Sequence, residues 1–582
     1  MPRSIRSFPN RLLWIFLRLT VMFDCKTISD PPWRGQKLRV PRSDETLLAR
    51  PPLHEAEDFA RQNRSQLDGC RIDLQGRSLS QLREWSRRQS LEAARTYTEE
   101  LTGTAVELES SELLYVGGHQ PALFHSGVWV KNFGIGELAA RSQGTALNLI
   151  IDNDTFSSTG IRVPVGNRSH PAIETVDFDT ASPAQPWEEA TVRDRSLFET
   201  FGDRVSRLMS VWQIDPLVTE IWPAAVRAVA HTGRLRDGLS AARVSAERSW
   251  GLNNLELPIS RMCALDPFLW FASHLLAHLP RFHETYNAVL AEFRRVNGIR
   301  SQTHPVPELT VRGEWLEAPF WVWREGDRQR KRVFAKQIGR EIHLSDGSGI
   351  FARLRLDPDC EACCAVETLR DLPDHGIRLR TRALTTTLFA RLCLADLFVH
   401  GIGGAKYDEM TDCIITRFFG IAAPEFQALS ATLHLPLAEP YDVSPTDAMQ
   451  LRSLLRDIEY NSDRHLSAGD VTSARAILDE KQRLITEQMA VTMGRLSRRE
   501  RRQQSRANRE RFRRFGEINR QLAERTADLR RQIEADVETI LAQLDANAVL
   551  TDREYAFCLF PADKLRSFMQ SLWERSDDTA DA

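Results

Sequence analysis

The chain has almost no net charge. Its 77 Lys and Arg face 79 Asp and Glu, giving −2 at pH 7, so nothing draws the whole molecule to nucleic acid or an anionic bilayer. Any basic function is local. It also lacks a disulfide framework: nine cysteines, an odd number, are scattered at 25, 70, 263, 360, 363, 364, 393, 413 and 558. That usage fits a reducing cytoplasm, the expected compartment. Cys360, Cys363 and Cys364 form a C-x-x-C-C cluster without a fourth ligand at zinc spacing, and no metal site is expected there. His274 and His278 stand four apart, but Leu275, Leu276 and Ala277 leave no general-base Glu between them. With His283 they read as packing histidines. No apolar run is long enough to span a bilayer. The run from Leu12 to Leu17 stops at Arg18, with no small-residue cleavage site after it. Residues 1–21 therefore read as a disordered tail, or as a start misplaced ahead of Met22.

What is present has the makings of a large soluble protein, with 42% hydrophobic residues in 582 positions, enough for one core domain and further modules. The organising stretch begins with the apolar run Leu113, Leu114, Tyr115 and Val116, followed by Gly117, Gly118, His119, Gln120 and Pro121. A helix is expected over residues 128–140, with Lys131 in its first turn. A second apolar run, 146–151, ends in Asp152, Asn153 and Asp154. Strand, loop, helix, strand and acidic strand end make the βαβ unit of an open parallel sheet. Ligands of such sheets bind beyond the carboxyl ends of the strands, where the His119–Gln120 and Asp152–Asp154 turns would lie.

Upstream, residues 78–101 read as a helix with Ser78 as its cap and Leu79, Leu82 and Trp85 on one face. Downstream, 161–165 and 173–178 read as short strands, and 196–209, 224–249 and 267–296 as helices of an insertion. Sheet-like sequence returns at 319–324 and 332–335. A second focus follows: an apolar helix at 388–394, a buried strand at 396–400, then a glycine loop with Gly401, Gly403, Gly404, Lys406, Asp408 and Glu409. Backbone N–H groups of such a loop can approach a phosphate or carboxylate at a helix start.

The last third is nearly free of Gly and Pro. Phe515, Ile518, Leu522, Leu529, Ile533, Val537, Ile540 and Leu544 recur at steps of three and four, facing an arm with Ile477, Leu478, Leu484, Ile485, Met489 and Leu496. This predicts a heptad-like helical hairpin that pairs two subunits. Its tip is dense in arginine: 495, 498, 499, 501, 502, 506, 509, 511, 513 and 514. The tip could hold a polyanion, although with only Phe512 and Phe515 interleaved a nucleic acid is not the expected partner. Residues 554–561 read as a strand returning to the main body, with a short helix to Trp573.

The expected fold class is α/β, a Rossmann-like parallel sheet with a helical insertion and a C-terminal coiled-coil hairpin. Residues 22–110 would wrap the core and 111–185 form its first half. Residues 186–300 are the insertion, 301–445 the second half, 446–550 the hairpin and 551–582 a return segment. This layout resembles the bacillithiol biosynthesis cysteine-adding enzyme family. The matching residues are Gly118, His119 and Gln120 with Leu123, Gly127 and Lys131; Asp152, Asn153 and Asp154; Arg382, Ala383 and Leu384; and Gly403 and Gly404 with Glu409.

The resemblance implies a core related to class I nucleotidyltransferases and a homodimer formed through the coiled coil. It implies a ligase that attaches cysteine to the amino group of glucosaminyl-malate, with ATP and Mg²⁺ activating a carboxylate. His119, Gln120, Asp152 and Asp154 are then the candidate catalytic residues. Gly118, Lys131, Asn153, Arg382, Gly403, Gly404, Lys406, Asp408 and Glu409 are the candidate binding residues. The alternative is an inactive dimeric scaffold that holds a polyanionic partner on its arginine tip.

Overall fold

In the computed structural model, residue 33 and residues 38–107, 112–156, 158–299, 306–489 and 497–577 are described. The N-terminal run around Leu12, Arg495 and Leu496 lie outside them. Six strands form the central sheet: β1 (Thr46–Arg50), β2 (Leu114–His119), β3 (Thr145–Ile150), β4 (Leu255–Pro258), β5 (Leu397–His400) and β6 (Phe426–Thr432). Their order is β1-β6-β5-β2-β3-β4, with only β1 antiparallel. The chain is thus a mixed α/β protein with a parallel-rich central sheet and many helices.

Both faces of that sheet are covered, as a parallel sheet requires. Side chains alternate along each strand, and the alternation divides the core in two. Leu114, Val116, Leu147, Leu149 and Phe398 enter one cluster; Leu113, Tyr115, Ala146, Leu397 and Val399 enter the other. Helix α1 (Leu79–Thr102) opens on Ser78, whose Oγ accepts from Gln81 N while its own N–H donates to Gln81 Oε1. That reciprocal cap is the signal by which its start was legible. Helix α2 (Ser126–Ser142) connects β2 to β3. Helix α3 (Leu235–Ser249) precedes β4, and α4 (Ile402–Ile414) connects β5 to β6.

The helical region between β3 and β4 opens with an antiparallel hairpin, Gly160–Asn167 against His170–Asp177. It also delivers β4 to the edge of the central sheet. Residues 315–381 contribute no strand to that sheet. They form a separate antiparallel sheet whose Ala318, Phe320, Val333 and Leu344 share a core with one face of the central sheet.

In the C-terminal arm, Pro445–Tyr460 packs along Ala527–Leu550 through Ile458, Ile533 and Val537. Farther out, Arg475–Met489 packs on α5 (Arg498–Arg525) through Ile477, Leu478, Ile518 and Leu522. Met489 and Leu529 stay exposed. The returning segment 554–561 is a short 3₁₀ turn, Phe557–Leu559, rather than a strand. It docks by side chains: Tyr555 through Phe560 are all buried, and Phe557 N–H donates to Phe124 O at 2.8 Å. Among the described residues no helix is long and apolar enough to cross a membrane.

One buried ion pair joins α1 to the sheet. Asp396, just ahead of β5, accepts from Arg83, from Arg87 at 2.8 Å and from Leu114 N–H at 2.6 Å. Arg83 and Asp396 are each 1% exposed. Asp396→Ala would strand the Arg83 guanidinium in the interior, and we expect a loss of about 3–5 kcal/mol in urea unfolding. An unchanged urea midpoint would contradict this anchoring.

Candidate active site at the carboxyl ends of the strands

Strand β2 lies between β3 and β5, and the two connecting helices leave in opposite directions along the sheet. This is the switch point at which an open parallel sheet forms a crevice beyond its strand ends. The residues there are His119 at the end of β2, Asp152–Asp154 after β3 and His400 at the end of β5.

Lys131 is the unusual member. Lysine is scarce, eight residues against 69 arginines, and this one is 4% exposed. Helix α2 carries it inward among Trp129, Val130, Phe133 and Ile135, all buried. Its Nζ donates to Gly118 O at 2.8 Å, and among the described residues it forms no ion pair. Burial pushes its ammonium down to about 8. That charge is felt on both sides, lowering the proton affinity of His119 and of His400.

His119 packs edge-on against Phe124 at 5.0 Å, and its Nδ1 lies 3.3 Å from Gln120 O. Burial, then Lys131, pushes the imidazole down to about 3, so it is neutral throughout the physiological range. Gly118 is fixed by space: a Cβ there would sit 2.9 Å from Leu149 O. Gln120 Nε2 donates to Asp154 Oδ2 at 3.0 Å, and Arg330 meets Asp154 Oδ1 at 3.0 Å.

The three residues after β3 differ in kind. Asp152 has no exposed surface. It accepts from Arg236, from the Ser260 hydroxyl and from Ser260 N–H at 2.9 Å, so it ties β3 to α3 and cannot touch a substrate. Asn153 Nδ2 donates to Thr381 O at 2.9 Å, and its carbonyl accepts from Arg330 at 2.8 Å. It joins the acidic turn to the antiparallel sheet. Asp154 alone is partly exposed and can reach a ligand. Arg382 donates to the buried Glu317 at 2.6 Å. Arg330 and Arg382 both lie on the Trp321 ring, at 4.9 and 4.8 Å from its centre. This wall of the crevice is therefore cationic and aromatic.

The other wall contains a residue that sequence reasoning missed. His400 Nε2 lies 2.9 Å from Asp408 Oδ2, and Arg391 donates to the same oxygen at 2.6 Å. Burial opposes ionisation of Asp408, but Arg391 and His400 hold its carboxyl well below the usual range. The glycines thought to form a loop lie in or beside the first turn of α4, which starts at Ile402 after Gly401. Gly404 makes room for the imidazole, since a Cβ there would fall 2.7 Å from His400 Nδ1. The signal available was a histidine ending a strand, glycines next, and an aspartate eight residues on. Gly403 and Lys406 are exposed, whereas Glu409 is half-buried on α4. Lys406 is thus separate from the buried group.

The largest groove, about 1260 Å³, opens at the opposite, amino ends of the strands, beside Leu113, Thr145, Leu255, Trp250 and Trp573. It contains none of the polar cluster above. His274 and His278 are packing residues, stacked against each other and on Phe418 and Phe419. Cys363 and Cys364 are exposed, with their sulfurs 4.0 Å apart. Among the described residues no group of three or more His, Cys, Asp or Glu could hold a metal ion.

The buried Lys131 ammonium costs stability, and the sign follows from its proton affinity. Unfolded, the amine titrates near 10.4; folded, near 8. Between those values the unfolded chain binds more protons, so folding becomes more favourable as pH rises across that window. We expect Lys131→Met to stabilise the protein by about 3 kcal/mol at pH 7, with the gain gone above about pH 10.5. Urea unfolding at the two pH values measures it, and a variant no more stable than wild type at pH 7 would contradict the assignment.

No protein-family model and no curated protein matches the chain, so its function is read from the geometry of this crevice.

Proposed function

We propose that the chain is an ATP-dependent ligase that forms an amide between cysteine and the amino group of a sugar-malate acceptor such as glucosaminyl-malate. In this reading the central sheet is a Rossmann-like core of the class I nucleotidyltransferase kind. The C-terminal arm is a coiled-coil hairpin that pairs two subunits. The observation that carries the proposal is Lys131, an ammonium kept in the interior at the switch point with a single carbonyl acceptor. A residue that costs folding energy where a sheet binds its ligands is explained by an anion that takes up its free N–H bonds.

The chemistry needs three things from the chain. ATP supplies an activated phosphoryl group, and the cysteine carboxylate attacks it to give an acyl phosphate or acyl adenylate. Lys131 and the uncapped start of α4 offer positive charge for the transferring group. Mg²⁺ would arrive on the nucleotide, with Asp154 as the one exposed carboxylate able to meet it.

The acceptor amine then attacks the acyl carbon, the phosphate or AMP leaves, and a base removes the amine proton. His119 is too weak a base for that step and serves as a neutral hydrogen-bonding group beside Gln120. His400, oriented by Asp408, is the better-placed base.

Incubation with ATP, Mg²⁺, cysteine and glucosaminyl-malate, followed by mass spectrometry, tests the proposal. The expected product is the acceptor heavier by one cysteinyl residue, with AMP or ADP released. Lys131→Ala should lower the rate about 10²–10³-fold, as for loss of one donor to a developing charge. Product formed equally well by Lys131→Ala protein would overturn the assignment of this site.

A further inference from the structure

The arginine-rich tip acquires a definite geometry once it is placed on α5. At about 100° per residue, Arg498, Arg499, Arg502, Arg506, Arg509 and Arg513 fall within one wedge about 100° wide. No other residue of 498–513 falls in that wedge. All six are exposed, and among the described residues none forms an ion pair. The opposite side of the helix is the packed one. It holds the half-buried Gln504 and Phe515 and the buried Ile518 and Leu522, which face Arg475–Met489. Arg514, on the flank, is fastened to Glu480 at 2.7 and 2.8 Å. The six-arginine face therefore points away from the arm. It runs about 22 Å along the helix, with a guanidinium every 5–6 Å or so.

A face that only has to be wetted does not take this form. The neighbouring helix Ala527–Leu550 alternates its charges, with Arg530 paired to Glu534 and Arg531 to Asp528. On α5 the pairs 498/502, 502/506 and 509/513 set like charges four apart, each weakening the helix by a few tenths of a kcal/mol. A polyanion would remove that penalty. A membrane is a poor match, because a surface helix needs an apolar side to bury and residues 498–513 contain only Ala507 and Phe512 as apolar members. A second copy of the same face would repel it.

We propose that the outward face of α5 binds the phosphodiester backbone of duplex DNA. The bare helix is about 10–12 Å across, which the major groove of about 12 Å admits, and the arginine forks suit phosphate oxygens. Binding is non-specific in sequence, since the face offers charge and few groups that read base edges. This inference is independent of the ligase reading.

The test is fluorescence anisotropy of the full chain with a random-sequence DNA duplex of about 20 bp at several salt concentrations. Six phosphate contacts predict a slope of log K against log salt near −5, and roughly a thousandfold loss between 50 and 200 mM salt. Replacing all six arginines by glutamine should abolish that slope and weaken binding at least 100-fold, with helix content by circular dichroism unchanged. Arg530→Gln with Arg531→Gln should leave binding as it was. A wild-type slope near zero overturns the proposal even if the six-fold variant fails to fold. So does binding to anionic lipid vesicles or polyphosphate without binding to the duplex.

Discussion

A single ammonium group in the interior constrains the core of this protein. Lys131 has three N–H bonds and one protein acceptor, Gly118 O, in a place where burial disfavours its charge. To seat it there, α2 must lie with nearly all of its inner residues against the sheet. Strand β2 must also end in a segment whose carbonyl turns toward the helix. Gly118 satisfies that second need because only hydrogen fits beside Leu149 O. The two imidazoles nearest the charge are held with little tendency to protonate. The crevice thus has one buried positive charge and neutral rings around it, an arrangement for receiving an anion rather than for discharging a proton.

The surrounding ion pairs are closed, which sets the Lys131 site apart. Arg243 meets Glu247 and Glu256, Arg236 meets Asp152, Arg380 meets Glu188, and Arg391 meets Asp408 and Asp412. Each is buried with its partner in hydrogen-bonding contact, the condition under which interior charge is tolerated. These pairs stitch the helices and the antiparallel sheet to the ends of the parallel strands. They hold the crevice walls, Arg330 with Trp321 on one side and His400 with Asp408 on the other, at fixed separation. Rigid walls around one unsatisfied cation are what a site for a charged reactant requires.

Much of the frame was legible in the chain because its signals are local. The Ser78 cap, the alternation through β2 and β3, and the glycine-containing turn before α2 each lie within a few residues. What was hidden is non-local or disguised. Strand β4 is four residues long and contains Glu256, a carboxylate that looks like surface until Arg243 and Asn148 are seen to enclose it. Asp152 reads as a free acid until Arg236, 84 positions away, is brought onto it. The antiparallel sheet of residues 315–381 has the same apolar alternation as a core strand, and pairing alone separates the two. His400 lay in plain view at a strand end, but its meaning depends on Asp408 reaching back across one and a half helical turns or so.

The most direct test of this account is to titrate Lys131 itself, by NMR of the wild-type protein with isotope-labelled lysine and Lys131→Met protein to identify the signal. With eight lysines in the chain the spectrum is sparse enough to assign. The account predicts a midpoint near 8 that moves upward when ATP is added, since a bound anion favours the charged form. A midpoint near 10.4, the ordinary lysine value, unmoved by ATP, would contradict a buried ammonium awaiting an anion and with it the central claim.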